Sequence, residues 1–91
     1  MKFNDFNKKL NEIGYFAAAD RIQTSEGYAQ LNRVHVFKEN GDLEAVKINE
    51  AQVIEPIYYE EVPEEVKELV KEFDQTDPSE RDMDHAKSLY N

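Results

Sequence analysis

Two short runs that alternate in polarity, separated by an Asn-Gly step, constrain this chain more than any other feature. Arg33-Val34-His35-Val36-Phe37-Lys38 alternates, Glu39-Asn40-Gly41-Asp42 intervenes, and Leu43-Glu44-Ala45-Val46-Lys47-Ile48 alternates again. Period-two patterning puts every second side chain on one face. Asn-Gly tolerates the positive φ of a tight reversal, so the stretch reads as a β-hairpin. Two turns fit it: a two-residue I′ turn at Asn40-Gly41, or a type I turn at Glu39-Asn40 with Gly41 in the left-handed region. The second is preferred. It sets Phe37 opposite Leu43 and Val34 opposite Val46, and closes on Lys38 and Asp42.

The flanks supply the rest of a fold. Phe3, Phe6, Leu10 and Ile13 recur at helical spacing and predict an amphipathic helix over residues 3–13, with Gly14 placed to end it. Residues 15–23 begin with Tyr15-Phe16-Ala17-Ala18-Ala19, an apolar run too short to reveal its period; strand and second helical turn both remain open. Gln52 to Tyr59, carrying Val53, Ile54, Ile57 and Tyr58, reads as a further strand. Pro56 places it at an edge or a bulge, because proline has no N–H for a ladder. Pro63 at a first helical position opens a helix over 63–74, with Val62, Val66, Leu69, Val70 and Phe73 as its buried stripe. Asp77-Pro78-Ser79-Glu80 resembles the capped start of a last helix running to about Tyr90, whose thin apolar face is Met83, Ala86 and Tyr90.

This order predicts a small α+β domain: a three- or four-stranded antiparallel meander turning at Asn40-Gly41, an N-terminal helix, and two C-terminal helices. Ninety-one residues hold one domain. Residues 1–76 are expected to form its compact part, and 77–91 a loosely docked helix. The expected core is Phe6, Leu10, Ile13, Val34, Val36, Val46, Ile48, Val66, Leu69, Val70 and Phe73. The absence of cysteine excludes a disulfide scaffold, and no apolar run approaches the ~20 residues of a membrane span. With no secretory leader at Met1, the expected location is cytoplasmic.

Charge is segregated. Residues 1–49 carry seven basic and seven acidic side chains, whereas residues 50–91 carry four basic and thirteen acidic ones, hence the whole net charge of −9. That disfavours direct binding to nucleic acid or to an anionic membrane, and points to a protein partner. Within the acidic half, Glu60, Glu61, Glu64, Glu65, Glu68 and Glu72 spread over about 20 Å if helical, one per roughly 3.3 Å. A single DNA strand carries a charge every ~3.4 Å, so the run can imitate phosphates before a basic nucleic-acid-binding protein. Lys67 and Lys71 interrupt it and argue for an ordinary solvated face. Alternation sends one of Tyr58 and Tyr59 inward and the other outward, and Tyr59 beside the carboxylates is a candidate interface anchor.

Chemistry-bearing motifs are lacking. His35 reads as a half-exposed strand residue, and Asp82 with His85 supplies too few ligands for a metal. Ser25, Ser79 and Ser88 lie in no nucleophile elbow, and three widely spaced glycines make no phosphate loop. No catalytic residue, cofactor or metal is expected. In size, acidity and lack of a catalytic motif the chain resembles small accessory proteins of bacterial viruses and mobile elements, some of which inhibit host nucleases by mimicking DNA. That resemblance is compositional and carries no residue across. The expected function is therefore a non-enzymatic protein-interaction module, an inhibitor of the DNA-mimic kind, bearing Tyr59, Glu60, Glu61, Glu64, Glu65, Glu68 and Glu72 on its binding face. The alternative is a structural or oligomerisation protein whose acidity serves solubility alone.

Overall fold

The computed structural model describes residues 1–23, 29–41, 43–49, 54–77 and 80–81. Six elements follow in chain order: α1 (Phe3–Asn11), β1 (Tyr15–Gln23), β2 (Ala29–Lys38), β3 (Glu44–Ile48), β4 (Ile57–Tyr58) and α2 (Glu64–Asp74). The four strands form one antiparallel sheet in the order β1-β2-β3-β4, the expected meander. Residues 15–23 are strand. Tyr15 and Ala17 are buried while Phe16 and Ala18 are exposed, so this apolar run has period two.

Both helices cover the same face of the sheet. α1 buries Phe6 and Leu10, α2 buries Val66, Val70 and Phe73, and these meet Tyr15, Ala17, Val34, Val36, Ala45, Val46 and Ile48 in one cluster. Phe6 and Phe73 stack across the helix pair with ring centroids 4.5 Å apart. Every expected core residue belongs to this cluster, with Ile13 and Leu69 partly buried at its margin. α1 is shorter than the expected 3–13. It ends at Asn11, and Gly14, at φ 83, turns the chain into β1. Asn7 of α1 accepts a 2.7 Å hydrogen bond from the Ala17 backbone N–H.

The hairpin is present, but its register and turn differ from expectation. Val34 pairs with Ile48 and Val36 with Val46, a slip of two residues from the expected Val34–Val46. A slip of two returns each side chain to its own face, so the apolar pairing survives. Asn40, not Gly41, holds the positive φ, at 70°, and the Gly41 N–H bonds the Lys38 carbonyl at 2.8 Å. Positive φ at the third residue of such a turn is the type II arrangement, which asparagine tolerates. Gly41 is needed for another reason: a Cβ there would sit 3.0 Å from the Lys38 carbonyl oxygen. Leu43 is not opposite Phe37 and is 78% exposed.

A bulge causes the rest of the shift. Phe37 pairs with Glu44, so Ala45 is the extra residue on β3, and Ala45 and Val46 are both buried although adjacent. Strict alternation would have turned Ala45 out and Glu44 in. The bulge turns Glu44 to the sheet's open face.

The expected strand over 52–59 is realised at Ile57–Tyr58; Ile54 is exposed outside it, and residues 50–53 lie outside the described set. Pro63 stands just before α2 in extended geometry (φ −58, ψ 155) rather than inside its first turn. The last expected helix falls almost wholly on residues 82–91, outside the described residues. Residue 81, just before that stretch, is held by the fold. Arg81 is 2% exposed, its carbonyl accepts the Phe3 N–H at 2.7 Å, and its guanidinium carbon lies 5.1 Å from the centre of the Phe73 ring. Among the described residues no helix is long and apolar enough to cross a membrane.

Candidate functional site

At 100° per residue, α2 turns its glutamates to two sides. Glu65, Glu72 and Leu69 fall on one flank and Lys67 on the other, with Glu64, Glu68 and Lys71 along the outward crest between them. The first flank faces α1. Glu65, Glu68, Glu72 and Leu69 line a groove together with Lys9, Glu12 and Ile13. The groove has a partly apolar floor, Ile13 and Leu69, and walls carrying four carboxylates against one ammonium. Lys67 and Lys71 do not line this groove, although Lys71 stands one turn from Glu68.

The remaining candidates lie elsewhere. Tyr59, Glu60 and Glu61 line a second recess with Tyr58 and Lys67. The two tyrosines do not divide into one buried and one exposed: Tyr58 is 41% and Tyr59 52% exposed. Tyr58 does oppose core-facing Val46, but β4 is two residues long at the sheet's edge and leaves it at the rim. Burial raises the Tyr58 phenol above its usual pKa, and the carboxylates of Asp74 and Glu64 add to that, which sets Glu64 on the Tyr58 side. Burial likewise raises the Tyr15 phenol, with Glu60 contributing. The backbone N–H of Tyr59 donates to the Ala45 carbonyl at 2.8 Å. Six carboxylates expected as one stripe are thus shared between two surfaces. Along the α2 flank they recur about every 5 Å, sparser than the phosphates of one DNA strand.

Two arrangements escaped the sequence reading. The first is Arg81, whose Nε donates to the Thr76 carbonyl at 3.0 Å, Nη1 to Asn49 at 3.0 Å and Nη2 to Asp74 at 2.6 Å. The Asp74 carboxylate stands 3.6 Å from Nη2. Burial raises the Asp74 carboxyl while Arg81 pulls it back down and Glu55 pushes it up. Burial lowers the Arg81 guanidinium, opposed by Asp74 and Asp77, from a value so high that it stays charged. A cation at the end of a helix, meeting its last carbonyls, is a recognisable capping device, but nothing in residues 75–81 marks it.

The second arrangement lies on the open face of the sheet. His35 Nε2 is 2.8 Å from Asp20 Oδ2 of β1, and His35 Nδ1 is hydrogen-bonded to Glu44 Oε1 of β3. His35 is opposite Ala18 and Lys47, so Asp20 reaches it diagonally and Glu44 reaches it through the bulge. Beside it Phe16 and Phe37 stack at 5.3 Å. The carboxylates bond opposite edges of the ring and do not converge on one point. Among the described residues no group of three or more His, Asp or Glu is arranged to hold a metal. Compared with known protein families, curated proteins and solved structures, the chain matches none.

Proposed function

We propose that this chain is a non-enzymatic protein-interaction module whose acidic groove between α1 and α2 takes a basic segment of a nucleic-acid-binding protein and blocks it. The observation that carries this reading is the lining of that groove. Glu65, Glu68 and Glu72 join Glu12 around Ile13 and Leu69, and neither Lys67 nor Lys71 lines that groove. Carboxylates around an apolar floor match a segment rich in lysine or arginine that also carries an apolar anchor. Tyr59, Glu60 and Glu61, in the recess that Lys67 also lines, with Glu64 on the Tyr58 side, form a second acidic contact for the same partner. That basic segment is then one that ordinarily meets DNA, and the site of the interaction is the cytoplasm.

A second reading has its own observation. The open face of the sheet shows the stacked pair Phe16 and Phe37 and, on β4, the exposed Ile57, which suits a structural contact, including one with a second copy. Salt separates the two. A partner captured by affinity pull-down is titrated at low and physiological salt with wild type, with the Glu65→Lys, Glu68→Lys double variant, and with Phe16→Ala. The acidic-groove reading expects affinity to fall steeply with salt, and the charge reversal to weaken binding by more than about tenfold. Binding indifferent to salt and to the reversal, but lost in Phe16→Ala, replaces it with the sheet-face reading.

A further inference from the structure

We propose that His35 is a doubly protonated strap tying edge strand β1 to β3 across β2, and that loss of its proton unfastens one end. The argument begins with a count of hydrogens. A neutral imidazole has one N–H and one lone pair, whereas an ionised carboxylate can only accept. Here both ring nitrogens meet carboxylate oxygens, Asp20 on one side and Glu44 on the other. Both bonds are made together when both nitrogens carry hydrogen, which is the imidazolium form. Deprotonation leaves a lone pair facing a carboxylate, a repulsive contact, and that arm opens.

The surroundings bear this out group by group. Partial burial of the ring favours the neutral form, and the Asp20 and Glu44 bonds and charges outweigh it, so the His35 pKa lies above the ordinary 6.5. The His35 bond and charge, with Arg33 behind it, hold the Asp20 carboxyl below its ordinary 3.8 against a small opposing effect of burial. The cations on this face, Arg33 on β2 and Lys47 opposite His35 on β3, oppose protonation. Among the described residues, the other neighbours on this face, Ala18, Phe16 and Phe37, carry no charge.

The sign of the pH dependence follows by linkage. A folded-state pKa above the unfolded one stabilises the fold fully below about pH 6.5, and that contribution disappears as pH rises through the raised value. The Asp20 contribution is present above about pH 3.8 and is lost as pH falls through its lowered value. The His35 proton holds the strap closed below its raised pKa, and the strap opens on the alkaline side as that proton is lost.

Imidazole 15N–1H correlation spectra of the wild-type protein test this, with the His35 signals assigned by their loss in His35→Gln. The expected result is a doubly protonated ring at pH 6 whose titration midpoint exceeds that of an ordinary histidine. Asp20→Asn and Glu44→Gln should each move that midpoint down. Thermal melting followed from pH 6 to pH 9 should show a loss of stability in wild type that is smaller in His35→Gln, a difference that His85, present in both, does not affect. A single neutral tautomer at pH 6, a midpoint at or below the ordinary one, or carboxamide variants that leave it unmoved would overturn the proposal. If His35→Gln does not fold, the wild-type and carboxamide titrations decide alone.

Discussion

The two faces of the sheet are built on different rules. The covered face is Tyr15, Ala17, Val34, Val36, Ala45, Val46 and Ile48, apolar throughout, and it meets the apolar stripes of two helices. The open face sets an aromatic pair, Phe16 and Phe37, beside Asp20, His35, Glu44 and Lys47. Burial on the first face depends on which side of the strand a residue falls. Pairing on the second depends on which residue stands opposite or diagonal. A slip of two in register leaves the first question unchanged and re-answers the second everywhere. The covered face holds the fold together by area, and the open face by particular partners.

That contrast is open to measurement by urea denaturation. Phe73→Ala should cost most, about 3–5 kcal/mol, because it empties the middle of the covered side and removes the Phe6 stack and the ring under Arg81. Arg81→Ala should follow at about 3 kcal/mol, since it takes a buried cation away from three carbonyls and from Asp74. Leu69→Ala, at the core's margin, belongs at the lower end of the range for such truncations, about 2 kcal/mol. Phe16→Ala on the open face should cost about 1 kcal/mol, the value of an exposed stack. Were Phe16→Ala as damaging as Phe73→Ala, and its cost dependent on protein concentration, the open face would be covered in solution by a second copy.

How far the sequence was legible follows the same division. Alternation in β2 and β3 and helical spacing in α1 and α2 identified the covered face, because each pattern is local and has one period. The His35 strap was hidden. Its carboxylates come from residues fifteen before and nine after it, and one arrives only through a bulge at Ala45, which no propensity announces. Arg81 was hidden for the opposite reason: an arginine in an acidic stretch reads as exposed, since buried arginines are rare. Its place is set by carbonyls at the end of α2 and by Asn49 at the end of β3, which meet only after folding. The acidic candidates were found as residues and misread as one surface, because linear density ignores that Glu60 and Glu61 precede α2 and line a different recess from Glu65, Glu68 and Glu72.

The bond from the Ala17 N–H to Asn7 has a consequence beyond helix packing. β1 has a neighbour on one side, β2, and is among the longest strands of the sheet. A bare edge of that length offers a template on which foreign strands, or copies of the same one, can add without limit. The Ala17 N–H faces away from β2, the direction from which such a strand would come, and the Asn7 side-chain oxygen already occupies it. An incoming strand must displace that side chain before it can continue the ladder past Ala17. The helix that closes the core thereby also takes up one donor of the exposed edge, through one amide.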